Sequence, residues 1–260
     1  MRLFSRRTRA KRASGPDAKG AVGADTPTTF AAQPALDQHT LRSFSESLAS
    51  LTAKASQMGE LVIRMVDQSA LVFLDHDVAK AKALIQLDLE VDSQKDALLA
   101  QALEVLARHQ PVASDLRLLL AVEHISGDLE RSADHAKNIA KRTLALPSSG
   151  RLDSTLGDLI RRLHAAVRSM LADSIKAFAT RDAGLAMELG RRDLVPDAIN
   201  DDLFHAVIAR IQTNPADAPT DVQALFVGKS LERIGDHATN IADEARFLVR
   251  GDAPSATRAR

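Results

Sequence analysis

From Leu36 onward apolar residues recur at every third or fourth position, the spacing that lines one side of an α-helix. Breaks in that pattern predict six long helices. The first covers 36–74 and ends at Asp75-His76-Asp77, where an aspartate can cap the next helix. The second covers 78–109. Pro111 opens a third, since a missing N–H costs nothing in a first helical turn, and it runs to about Leu146. Pro147-Ser148-Ser149-Gly150 breaks the chain. A fourth helix is expected over 154–179 and a fifth over 182–211, and after the two prolines of 213–219 a sixth reaches Val249.

The second trio of helices repeats the first. Leu129-Glu130-Arg131-Ser132-Ala133-Asp134-His135-Ala136-Lys137-Asn138-Ile139-Ala140 returns 102 positions later as Leu231-Glu232-Arg233-Ile234-Gly235-Asp236-His237-Ala238-Thr239-Asn240-Ile241-Ala242. Upstream, Asp88, Asp92 and Asp96 return 105 positions later as Asp193, Asp197 and Asp201. The expected fold is therefore all-α: two tandem, pseudo-symmetric three-helix bundles of spectrin-like form, with helices ~40–55 Å long at 1.5 Å per residue. The first bundle spans 36–147 and the second 150–250. Residues 1–35, rich in Ser, Gly, Pro, Ala and Thr behind an Arg-rich start, are expected to be a disordered basic extension, and 251–260 a disordered tail.

Composition narrows the function. With no Cys, thiolate metal sites, disulfides and cysteine nucleophiles are excluded. Wholly apolar runs such as Leu118 to Val122 are far shorter than the ~20 residues of a membrane span. The Arg-rich start has no apolar stretch behind it and does not read as a secretory signal. Of 34 basic and 34 acidic groups, nine and three lie in 1–35 and 251–260, which leaves 25 and 31 for 36–250, a net of about −6. Such a body does not suit nucleic acid as a partner, because phosphate neutralisation needs clustered Lys and Arg.

The acids are ordered. Glu130 and Asp134 are four apart, as are Glu232 and Asp236, so each pair shares one side of its helix. On the last helix the apolar stripe is Leu231, Ile234, Ala238, Ile241, Ala245 and Leu248, and a step of ~100° per residue puts Glu232, Asp236 and Asp243 opposite it. Asp88-Asp92-Asp96 and Asp193-Asp197-Asp201 read as ladders of the same kind. If the second and third helices fold back at Gln110-Pro111, Asp92 stands level with Glu130, and Asp88 with Asp134; a turn near Pro215 does the same for Asp193 and Asp197 against Asp236 and Glu232. Oxygen donors from two helices at one height suit iron, manganese, magnesium or calcium, on an exposed face; the other reading is a solvated acidic surface. Lys137 and Lys141 border the first stripe where the second has Thr239 and Asp243, which makes the second face the better candidate. His135 and His237 are read as neighbours or surface residues more than as ligands.

Ser230-Leu231-Glu232-Arg233-Ile234-Gly235-Asp236-His237-Ala238-Thr239-Asn240-Ile241 resembles the signature of the PhoU family, as do Gln110-Pro111-Val112-Ala113-Ser114-Asp115-Leu116-Arg117 and the Gln57-Met58-Gly59 stretch. The resemblance covers about 38–250, with Ser132-Ala133 replacing the usual Ile-Gly in the first copy. It implies a cytoplasmic, dimeric, non-enzymatic negative regulator of phosphate uptake and of the phosphate-starvation (Pho regulon) response. Such a protein links the ATPase subunit of the phosphate ABC transporter to a phosphate-sensing histidine kinase and meets the membrane only through partners. It also implies that Glu130, Asp134, Glu232 and Asp236 are motif positions able to hold multinuclear iron or zinc clusters. The competing reading is a helical scaffold or chaperone-like protein with solvated acidic faces; a four-helix di-metal enzyme would need inward Glu and Glu-x-x-His pairs, a spacing this chain lacks.

Overall fold

Helix starts are set by short acidic side chains that take up backbone N–H groups left without partners. In the computed structural model, Asp77 accepts from the Lys80 N–H at 2.9 Å, Asp153 from Thr155 N–H at 2.8 Å, and Asp182 from Leu185 N–H at 2.9 Å. The structure describes residues 33–147 and 152–251, with side chains from Arg42 onward. The expected extension at 1–32, most of the Pro147–Gly150 breaker and the tail from 252 lie outside the described residues. Among those described there are seven α-helices and no strand: α1 Gln33–Leu74, α2 Val78–His109, α3 Ala113–Leu144, α4 Ser154–Thr180, α5 Ala183–Arg192, α6 Leu194–Thr213 and α7 Ala218–Arg250, with a 3₁₀ turn at Pro215–Asp217.

Two expectations change. The third helix begins at Ala113, with Pro111 ahead of it and Gln110 left-handed at φ 46° as the end of α2. The expected fifth helix divides at Asp193 into α5 and α6. Pro196 accounts for the division: it has no N–H to donate, and its ring crowds the carbonyl four residues back, at Arg192.

Residues from Thr40 onward gather into one compact unit. Ion pairs and hydrogen bonds trace its antiparallel neighbours: Lys54 to Gln101 joins α1 to α2, Lys95 to Glu130 joins α2 to α3, Arg192 to Asp173 joins α5 to α4, and Asn200 to Glu232 joins α6 to α7. The two copies meet along α3 against α7 and α1 against α4, so a single core runs through both. Leu231, Ile234, Ala238, Ile241, Ala245 and Leu248 are all buried, as their spacing predicts. The largest enclosed side chains, Phe73 and Phe178, close α1 and α4. At the start of α4 Arg210 ties three helices together, bonding Asp153 (2.8 Å), Asp217 (3.2 Å) and the fully buried Asp221 (3.1 Å).

Candidate functional site

On α2 the buried stripe runs Ala81, Leu84, Asp88, Val91, Leu98, Ala102 and Val105, alternating three and four residues. Lys95 falls at the one place in that rhythm where a fully buried residue is missing. Asp88 is therefore not on an exposed face: it is 4% exposed, in the seam against α3, while Asp92 and Asp96 look outward. The three-rung ladder separates because a 100° step carries residues eight apart about 80° around the helix.

Lys137 of α3 fills the seam beside Asp88. Its ammonium bonds both the Asp88 and the Asp134 carboxylates. Lys95 bonds Glu130 across the same pair of helices at 3.0 Å. These contacts set Lys137 between Asp88 and Asp134, and Lys95 of α2 against Glu130. Burial alone would lower the Lys137 pKa, but its hydrogen bonds to Asp134 and Asp88 outweigh that and push it up. Desolvation, then the charges of Asp88 and Glu130, push Asp92 upward.

The second copy keeps the acids and changes their partners. Thr239 donates to Asp193 at 2.9 Å and Asn200 donates to Glu232 at 2.7 Å, so α6 and α7 are joined by neutral groups. Lys229 reaches Glu232 at 2.6 Å and Arg233 reaches Asp236 at 3.0 Å, each along α7 itself. Asp197 is half-buried on α6. Among the described residues no three His, Asp or Glu side chains are grouped to hold a metal ion. The donor chemistry of the two faces still differs. The first has two ammonium groups inside the helix seam, which repel a metal cation. In the second the groups that join Asp193 to α7 and Glu232 to α6 are a hydroxyl and an amide, neutral groups that do not repel a cation.

His135 and His237, equivalent positions in the two copies, meet face to face where α3 crosses α7, with ring centroids 5.7 Å apart. Asp128, which sequence reasoning passed over, accepts from or pairs with His237 at 2.8 Å and accepts from Asn240 at 3.2 Å. Burial and then the neighbouring His237 depress His135 to about 4. Farther along the crossing His124 faces Glu244 at 3.0 Å, and burial pushes that glutamic acid's pKa up. These residues hold the two copies together and do not extend the acidic faces.

Two copies of one helical unit, each with carboxylates on its last helix pair, define an all-helical, duplicated bundle with an acidic face in each half. The PhoU domain matches residues 55–143 and 160–245, once in each half, and the chain belongs to the PhoU family. It is 33% identical over 220 residues to a phosphate-specific transport system accessory protein PhoU homolog of Rhizobium meliloti, covering 85% of this chain and 92% of that one. It is 34% identical over 223 residues to a homolog so described in Caulobacter vibrioides, covering 86% and 96%. Of solved structures, PhoU from Pseudomonas aeruginosa superposes with a TM-score of 0.73 at 28% identity, covering 80% of this chain and 100% of that one. The phosphate transport system regulatory protein PhoU from Streptococcus pneumoniae gives 0.74 at 26% identity, covering 80% and 98%.

Proposed function

We propose that this protein restrains phosphate uptake and the phosphate-starvation (Pho regulon) response from the cytoplasm, as a homodimeric adaptor between the phosphate transporter's ATPase subunit and a phosphate-sensing histidine kinase. The observation that carries this reading is membership of the PhoU family in both halves of the chain, with relatives described as accessory or regulatory proteins of phosphate transport. No residue is assigned a chemical step. Long helix faces dock on partners, and the state of the transporter biases the kinase through that contact, a coupling set by differential affinity for two partner states. No helix among the described residues is long and apolar enough to cross a membrane, which fits contact with the membrane through partners alone.

Glu232 and Asp236 of α7, with Asp193 at the junction of α5 and α6 and Asp197 of α6, would hold an iron, zinc, manganese or magnesium ion. Its charge would neutralise the face and cross-link the two helices. The regulatory reading is tested by deleting the gene and following a phosphate-repressed reporter in rich phosphate. Constitutive expression supports the adaptor; unchanged repression counts against it. Metal analysis of the purified protein, then of Glu232→Ala and Asp236→Ala, tests the cation, which should fall to background in both variants.

A further inference from the structure

The two copies differ at two positions that both lie between paired helices. Moving 105 places from α2 to α6 takes Asp88 to Asp193 and Lys95 to Asn200; moving 102 places from α3 to α7 takes Glu130 to Glu232, Asp134 to Asp236 and Lys137 to Thr239. The acids are the same in each copy, and so are the links. Lys137 to Asp88 corresponds to Thr239 to Asp193, and Lys95 to Glu130 corresponds to Asn200 to Glu232. Only the charge of the linking group changes, positive in the first copy and neutral in the second.

That change decides how each face is neutralised. Enclosing a charge costs a great deal unless it is paired, and Asp88 is only 4% exposed. Lys137 supplies the paired charge from a side chain that is itself only 20% exposed, and joins Asp88 of α2 to Asp134 of α3 as a bridging metal would. In the second copy the cations Lys229 and Arg233, each 52% exposed, pair along α7 itself with Glu232 and Asp236. Cationic groups so exposed are screened by water and can swing into solvent, although Glu232 itself is only 16% exposed. A divalent ion placed among Asp88, Glu130 and Asp134 would meet two ammonium groups within a few ångströms, and the repulsion there is poorly screened.

We infer that Lys137 and Lys95 are the chain's own counter-cations for the first acidic face, taking the place between α2 and α3 that a metal would occupy, so that the first face is closed to metal. For the second face this rests on the cation reading proposed above. For the first it stands on the lysine contacts alone.

The test uses the full-length protein and MnCl₂, with bound Mn²⁺ counted by electron paramagnetic resonance and melting followed by circular dichroism. The background is Asp193→Asn and Asp197→Asn with Glu232→Gln and Asp236→Asn, which removes all four carboxylates of the second face. With both lysines present this background should bind no Mn²⁺ above the level of a non-specific control. Adding Lys137→Thr and Lys95→Asn, which copies the second face onto the first, should produce one Mn²⁺ site at least tenfold tighter, and a lowered melting temperature that Mn²⁺ raises again. Lys141→Thr, which removes a charge from an exposed position of α3, should produce neither. Mn²⁺ binding by the background with its lysines intact would overturn the inference, as would a helical lysine variant that gains no site. If the double lysine variant fails to fold, Lys137→Thr alone carries the same two outcomes. Absence of Mn²⁺ from the wild-type protein, together with a gain in the lysine variant, would reject the cation reading of the second face and leave this one standing.

Discussion

Replacing Gly59 by alanine adds one methyl group where α1 lies against α4. The glycine is buried and interior to a long helix, where alanine is ordinarily favoured by about 1 kcal/mol. Space decides against it. A Cβ at this position would stand 2.7, 2.9 and 3.0 Å from Cδ1, Cγ1 and Cγ2 of Ile175, well inside the ~3.5–4.0 Å of a favourable carbon contact. Ile175 is 7% exposed and β-branched, so χ1 in its helix is stiff and the side chain cannot turn aside. The helices must part instead, and overpacking of this kind costs about 1–3 kcal/mol. Set against the propensity gain, Gly59→Ala should destabilise the protein by up to ~2 kcal/mol, at ~2–4 °C per kcal/mol for a chain of this size. Urea unfolding followed by circular dichroism measures it. Ile175→Ala alone leaves a cavity and should cost ~2–5 kcal/mol. In the double variant the new methyl group takes part of that space, so the loss should fall short of the sum by about 1 kcal/mol or more. A stabilised Gly59→Ala, or strictly additive losses, would refute the reasoning.

Arg210→Met strips the partner from Asp221, which is fully buried and has its second carboxylate oxygen without a hydrogen bond, and should cost ~2–4 kcal/mol at pH 7. Burial already raises the Asp221 pKa, so protonation should relieve the variant and shrink the loss near pH 5; equal losses at both pH values, by urea midpoint, would contradict this. His164 is depressed below 6.5 by burial, more than the adjacent Asp67 at 3.2 Å restores. The unfolded chain therefore takes up this proton at higher pH than the native one, and the stability tied to a neutral His164 is lost as pH falls below about 6.5. His164→Asn should flatten the decline in melting temperature over that range, and an unchanged slope would count against the assignment.

Helix spans, caps and duplication were legible before any coordinates because each depends on residues close in sequence. Asp77 and the end of the first helix, the stripe Leu231 to Leu248, and the 102-residue repeat are patterns of spacing, and spacing alone sets which residues share a side of one helix. The break at Asp193 was also within reach, since Pro196 stands in plain view inside an otherwise helical run. The heptad rhythm of α2 held a further signal, because it assigns Asp88 and Lys95 to the buried seam.

What the sequence by itself determined, then, is the set of rods and the sides on which each is apolar or acidic. Tertiary structure alone decided which sides meet. That Lys137 lies between Asp88 and Asp134, that Asp128 receives His237 and Asn240 from 109 and 112 residues away, and that His135 stacks on its own counterpart all depend on the offset and rotation of one helix against another. A shift of three residues along a helix moves a side chain about 4.5 Å, enough to exchange one ion-pair partner for another. Such a shift is settled by how the whole core packs, through contacts that no local pattern encodes.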